Sequence, residues 1–437
     1  MTNQDGGIHV RLTAGQIGKR ALMRHSGTYV FGLLVSLFFL WGVANNLNDI
    51  LIKQFKKAFE LSDFRAGLVQ SAFYAGYFLL AIPASFCMRR FGYKSALVAG
   101  LLLYAAGAFL FYPAAALRTY GLFLGALFII ASGLAFLETA ANPLVTVIGP
   151  AEGAARRLNL AQSFNPLGSI TGVLIGQNFI FSGTELDAAQ LASLTEKARQ
   201  GYYASQSLAV QGPYLVIGFV VLLWAFLVAA ARLPVSGAEH ESRPGGAGPA
   251  ALLRNKNYLL SVLAQFFYVG AQVGTWSYLI RYAQQTMPGT SERRAADFLT
   301  VSLILFMIGR FAGTALMRVL PPARLLTAFA TLALGLVTVA FLCPGPIGVG
   351  ALIATSFFMS IHFPTIFALG LRGLDAEERK SGSSFLVMAI IGGAALTVGM
   401  GAISDAAGIH RAMIVPIVCF AIVLLFVRHT GKLRTAV

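Results

Sequence analysis

The sequence predicts an all-α membrane protein of twelve transmembrane helices in two pseudo-symmetric six-helix bundles. Three observations carry that expectation. Hydrophobic residues make up 57% of the 437 and charged ones 11%, too apolar a balance for an ordinary soluble domain. Apolar runs of about 20 residues, the length a helix needs to cross a bilayer core, recur along nearly the whole chain. Finally, the two halves of the chain echo one another across a polar centre.

Taken in order, residues 1–27 are polar, with no apolar h-region and no small-residue cleavage site. They are expected to be a cytoplasmic tail, with the first span itself directing insertion. Spans are expected at 28–52, 66–88, 95–114, 120–148, 158–181 and 213–232, which together form an N-terminal bundle over 28–232. A second six, at 257–284, 297–319, 324–343, 346–371, 383–404 and 410–428, form a C-terminal bundle over 257–428. Residues 233–256 hold Ser236-Gly237-Ala238 and Pro244-Gly245-Gly246-Ala247-Gly248-Pro249, the composition of a flexible cytoplasmic linker, and 429–437 are a second tail.

With the N-terminus inside, the inner segments carry 21 of the 33 Lys and Arg and the outer ones 11, with Arg310 inside a span. That bias is the positive-inside pattern and places both termini in the cytoplasm. It also accounts for the net charge of +16, because the basic residues are scattered at span ends and not gathered into the stripe that nucleic acid requires. No nucleic-acid partner is expected. The awkward outer loop is 53–65, whose lysines are read as riding on an extension of the first span.

The echo is specific. Phe136-Leu137-Glu138-Thr139-Ala140-Ala141-Asn142-Pro143, followed after a loop by Gln162-Ser163-Phe164, aligns with Phe357-Phe358-Met359-Ser360-Ile361-His362-Phe363-Pro364 followed by Ser383-Ser384-Phe385. The interval from proline to phenylalanine is 21 residues in both halves, so the repeat needs no gap. Two parallel halves joined by a polar loop describe the major facilitator fold, with a solute site near midplane between them.

Polar residues inside spans mark the candidate site. Asn45, Asn46, Asn48 and Asp49 crowd the end of the first span, Glu138 lies 18 residues into the fourth, and Gln162 and Asn165 lie in the fifth. A carboxylate in hydrocarbon costs several kcal/mol, so such groups turn toward protein or water and mark transport paths. Burial favours the neutral form and a nearby donor or cation favours the ionised one, so a sheltered carboxyl can take a proton from one face and release it to the other. Asp49 and Glu138 are therefore the proton-coupling candidates; a helix-end Asp49 paired with Lys53, and a purely structural hydrogen bond at Glu138, are the competing readings.

In the seventh span Gln265, Gln272 and Trp276 supply amides for hydroxyls and an aromatic face for a sugar ring, although aromatics at helical spacing more often serve packing. Arg310 is read as pairing, capping a carbonyl or snorkelling before it is read as a ligand of the solute. The glycines of the eleventh span (Gly392, Gly393, Gly399, Gly401) suit close helix approach. Cys87, Cys343 and Cys419 have no metal-ligand spacing and read as small buried hydrophobes. Gly15 to Arg20 lacks the spacing of a phosphate loop, and no metal motif or nucleophile elbow is present, so neither a cofactor nor a metal nor an enzymatic activity is expected.

The polar stretches also carry a resemblance. Asn45-Asn46-Leu47-Asn48-Asp49-Ile50-Leu51-Ile52, Gln70-Ser71-Ala72-Phe73-Tyr74 with Tyr77-Phe78, Leu137 to Pro143, and Leu158 to Asn165 resemble the fucose–galactose–glucose:proton symporter group of the major facilitators. Ala264 to Gln272, Trp276 to Tyr282 and Ser381 to Phe385 resemble its fucose-carrying members, and the likeness covers nearly all of 28–428. The resemblance implies symport of L-fucose with a proton across a bacterial inner membrane; a multi-pass chain in contact with lipid is expected, with a monomer as the default. It implies that Asp49 and Glu138 are protonated and released, and that Asn46, Gln162 and Asn165 are polar cavity positions.

Two departures stand out. Phe363 occupies a place where fucose carriers have a tyrosine, which removes a hydroxyl and bears on sugar choice. Met88-Arg89-Arg90-Phe91-Gly92-Tyr93-Lys94 lacks the usual acid of that loop. The rival readings are a glucose, galactose or N-acetylglucosamine symporter, an uncoupled facilitator, a membrane enzyme acting on lipid-linked sugar, and a sugar sensor.

Overall fold

The structure is a computed structural model, and it describes residues 29–44, 59, 63–175, 178–179, 190, 193–233 and 252–435. All twelve expected spans have a helical counterpart among these residues. The first is Tyr29–Ala44, and the second and third are two helices that follow one another directly within Asp63–Ala116. A break at Gly92 (φ 83°) separates the pair, a left-handed backbone that a side chain would strain. The fourth is Tyr120–Val147, the fifth is Ala154–Gln162 continued by Phe164–Ile175, and the sixth is Gln211–Ala230.

In the second half the seventh span is Lys256–Thr286, the eighth Glu292–Leu316 and the ninth Pro322–Leu342. The tenth is split into Pro346–Met359 and His362–Gly370, and the eleventh into Ala376–Met388 and Gly392–Ala407. The twelfth runs through Ile409–Ala412 and Ile414–Thr435.

Local chemistry sets the helix starts. Asn255 accepts from Tyr258 N at 3.1 Å, and Asp375 with Glu378 makes a reciprocal capping box at 2.7 and 3.1 Å. Differences from the sequence reading lie at the ends. The fifth and eleventh spans begin at Ala154 and Ala376, ahead of the apolar runs, because their first residues (Arg156 and Arg157; Glu377 to Lys380) are charged and break the apolar pattern without breaking the helix. The twelfth continues to Thr435, so the expected tail is largely helix. Glu196–Leu208, in a stretch read as an outer loop, is a helix capped by Thr195. Most of the linker, 234–251, and most of the loop 53–65 lie outside the described residues.

Within the first half, the second and third spans pack on the fourth and sixth; within the second, the seventh packs on the eleventh and twelfth. Between the halves, the packing is carried by the pair of helices within Asp63–Ala116 and by the fourth and fifth spans against the eighth, tenth and eleventh. Among the described residues its hydrogen bonds include Ser85 Oγ to Lys380 O at 3.1 Å, Asn159 Nδ2 to Thr365 Oγ1 at 3.0 Å and Arg310 Nη1 to Gln162 O at 3.1 Å, with the Phe164 and Phe311 rings 6.2 Å apart. Ser85 and Lys380 lie near loops read as cytoplasmic.

The first and fifth spans meet backbone to backbone. A Cβ on Gly168 would collide with the Phe39 carbonyl, and one on Gly42 with the Asn165 carbonyl. Backbone cannot yield as a side-chain tip can, so Gly168→Ala should cost about 1–3 kcal/mol and lower the thermal midpoint in detergent. An unchanged midpoint would show that the two helices part without cost.

Candidate functional site

A cavity of about 480 Å³ lies between the halves, within the ~300–1,000 Å³ typical of small-molecule sites. Its first wall is polar. The second span presents Gln70, Phe73, Tyr74 and Tyr77, spaced i, i+3, i+4, i+7 so that one helix face serves the cavity. The fourth span adds Glu138, the fifth Gln162, Asn165 and Ser169, and the first Phe38 and Trp41. The facing wall is more apolar: Gln272, Val273 and Trp276 of the seventh, Leu299, Leu303, Phe306 and Arg310 of the eighth, Phe363 of the tenth and Ile390 of the eleventh.

Glu138 is 1% exposed and is the one buried carboxylate among the described residues. Its Oε2 has no close hydrogen-bond partner, and neither do Thr139 Oγ1 and Asn142 Nδ2 beside it. The Tyr77 hydroxyl stands near enough to act on both the Glu138 carboxyl and the Trp41 indole, without making a close bond to either. Gln162 Nε2 donates to Asn142 Oδ1 at 2.9 Å, and Asn165 Nδ2 to Phe38 O at 3.3 Å. Donors and acceptors gathered on one wall beside a carboxyl suit a neutral, polyhydroxylated solute and a proton.

Arg310 is 4% exposed, a cation held by neutral partners. Its Nε donates to Ser360 O at 2.7 Å, its Nη1 donates to Gln162 O at 3.1 Å, and its guanidinium lies 4.4 Å from the Phe306 ring centre. The carbonyl-capping reading of Arg310 is what the geometry shows, and the residue lines the cavity as well. Ser360 lies at the break in the tenth span, so one guanidinium ties the eighth span to the break and to the opposite half. Trp276 stands edge-on to Phe306 with ring centres 4.9 Å apart and donates Nε1 to Ser356 Oγ at 3.1 Å. Trp276→Phe keeps a ring but loses that donor, worth ~1 kcal/mol, so the apparent KM for sugar should rise roughly fivefold. An unmoved KM would show that the indole orientation does not matter.

Of the residues expected from sequence, Glu138, Gln162, Asn165, Gln272 and Trp276 come together around one cavity. Gln265 does not join them. It is fully buried, with neither amide atom paired, and is not part of the cavity wall. Seven residues bring it back to nearly the same helix face as Gln272 but about 10 Å along the axis, so depth and not direction separates the two. Asp49 and Asn46 lie outside the described residues. Tyr74 and Tyr77 join the cavity wall beyond the expected site residues, and their spacing with Gln70 is the signal for them; Phe306 and Leu303 look like any other apolar span residues.

Comparison with known proteins follows the same lines. The family model described as Major Facilitator Superfamily matches residues 29–397. The chain belongs to the major facilitator superfamily. Among superfamily members, the L-fucose-proton symporter of Escherichia coli (strain K12) is 46% identical over 425 residues, 96% of this chain and 97% of that one. A glucose/galactose transporter of Brucella abortus biovar 1 is 37% identical over 401 residues, 91% and 93% of the two chains. A solved major facilitator transporter, FucP, in the outward conformation superposes with a TM-score of 0.86 at 47% identity, covering 93% of this chain and 99% of that one.

Proposed function

We propose that this major facilitator carries L-fucose, or a closely related sugar, together with a proton across the bacterial inner membrane by alternating access. The observation that carries the reading is Glu138, a carboxyl with 1% exposure set among amides on the wall of a cavity between the halves. Its likeness to an L-fucose-proton symporter over nearly the full chain supports the choice of sugar.

In the cycle the outward-facing carrier takes a proton, shared between Asp49 and Glu138, as the sugar settles among Gln162, Asn165, Gln272 and Trp276. A neutral carboxyl is cheaper to enclose in a dry interface than an ionised one, so loading permits the halves to rock inward. Sugar leaves, the proton follows, and the empty carrier resets. The chain works as a monomer with both termini in the cytoplasm.

Purified protein in liposomes decides the matter. L-Fucose added to a weakly buffered suspension should alkalinise the outside. Counterflow against L-fucose, L-galactose, D-arabinose, D-glucose and N-acetylglucosamine should rank L-fucose first. Uptake without alkalinisation would make the chain an uncoupled facilitator, and a preference for D-glucose would reassign the sugar. Phe363 lines the cavity, so the ranking also tests whether loss of a hydroxyl there has shifted the choice.

A further inference from the structure

We propose that Asn142 and Gln162 form a reversible amide relay, in which Asn142 is the positioning residue that reports the protonation of Glu138 to the sugar site. The proposal rests on the reading of Glu138 as a proton carrier. Asn142 is fully buried and follows Glu138 by one helical turn, so the two side chains share a face of the fourth span. Gln162 Nε2 donates to Asn142 Oδ1 at 2.9 Å. That bond commits the acceptor end of Asn142 and leaves its Nδ2 as a donor without a close partner, one turn from Glu138 Oε2, an acceptor without one. The amide is close enough to act on the carboxyl as a donor. The two loose ends are complementary.

An amide donates from one end and accepts at the other, so a row of amides has a direction. When Glu138 is ionised it only accepts. Asn142 then gives it Nδ2 and takes Gln162 Nε2 on Oδ1, and Gln162 keeps Oε1 to accept from a solute hydroxyl. The bond from Gln162 to Asn142 has this direction, while Asn142 Nδ2 and Glu138 Oε2 are still without a close bond. When Glu138 is protonated its hydroxyl donates to Asn142 Oδ1. Asn142 turns over and gives Nδ2 to Gln162 Oε1, and Gln162 now offers Nε2 to the cavity. One proton thus reverses the polarity that Gln162 presents to the sugar.

The main-chain carbonyl of Gln162 also accepts from Arg310, so the relay ends beside the tie between the halves. Among the described residues, the other titratable groups lining the cavity around Glu138 are Tyr74 and Tyr77 of the second span and Arg310 of the eighth; Tyr104 of the third is committed to Leu40 O at 3.4 Å.

The test is the pH dependence of L-fucose affinity in the purified full-length protein, read by calorimetry for wild type, Asn142→Val and Asn142→Ser. Linked sites typically shift affinity by about 5–150-fold, and wild type should fall in that range between its protonated and ionised limits. In Asn142→Val the shift should shrink below about twofold, whereas Asn142→Ser, whose hydroxyl can donate or accept, should keep most of it. A full wild-type shift in the valine variant, or identical behaviour of valine and serine, would overturn the relay.

Should neither variant fold, wild-type protein still answers. Its pH-difference infrared spectrum should show side-chain amide bands changing together with a carboxyl band that Glu138→Gln removes, and silent amides beside that band refute the proposal. Wild type without any pH-dependent affinity or sugar-driven alkalinisation would sink the symport reading itself, and the relay with it.

Discussion

Glu138→Gln should abolish uphill accumulation of sugar. With one proton per sugar, each pH unit across the membrane supports a tenfold gradient, so about two units sustain roughly 100-fold accumulation in wild type. A glutamine cannot exchange the proton, and accumulation in the variant should collapse to equal concentrations on both sides. Counterflow, which moves sugar against sugar, should suffer far less, because glutamine preserves the shape and a carbonyl on the same wall. The affinity of the variant should also follow pH less steeply than that of wild type. Proteoliposomes with an imposed gradient give the measurement; accumulation above about tenfold in the variant would remove Glu138 from the coupling step.

Arg310→Met should stop transport by a different route. The guanidinium donates to Ser360 O and Gln162 O, and methionine fills its volume while leaving both carbonyls without that donor. A buried polar group left unpaired costs about 1–3 kcal/mol, so removing the tie should shift the balance between outward and inward closure by roughly tenfold or more. Arg310→Lys should not rescue, since a point ammonium cannot reach two acceptors through a planar fork. A cysteine placed at Ala155, in the cleft of about 300 Å³ beside the loops read as cytoplasmic, reports the shift. Its labelling from the inner side should accelerate in the methionine variant; unchanged labelling together with normal uptake would show that the bridge is dispensable.

Much of this was legible in the sequence because the bilayer imposes it. Spans of fixed length, a basic bias and a gapless repeat leave few alternatives, and Glu138, Gln162 and Asn165 are conspicuous because polar groups are so costly there. What escaped is depth and partnership. Gln265 and Gln272 share a helix face and look equivalent on a helical wheel, yet only Gln272 reaches the cavity. Arg310 could be seen as a buried cation, but its acceptors are main-chain oxygens, which leave no trace in residue identity. The charged first turns of the fifth and eleventh spans hid their own helices for the same reason: composition records where hydrocarbon ends, not where hydrogen bonding does.

The seam between the halves has one more consequence. Among the described residues the two ion pairs, Arg199 with Glu196 and Lys380 with Glu377, each join neighbours on a single helix, while the seam is closed by Ser85, Asn159, Arg310 and an aromatic pair acting on neutral partners. Screening by mobile ions weakens attraction between opposite charges and leaves neutral hydrogen bonds almost untouched. Raising ionic strength should therefore loosen the described part of this seam very little.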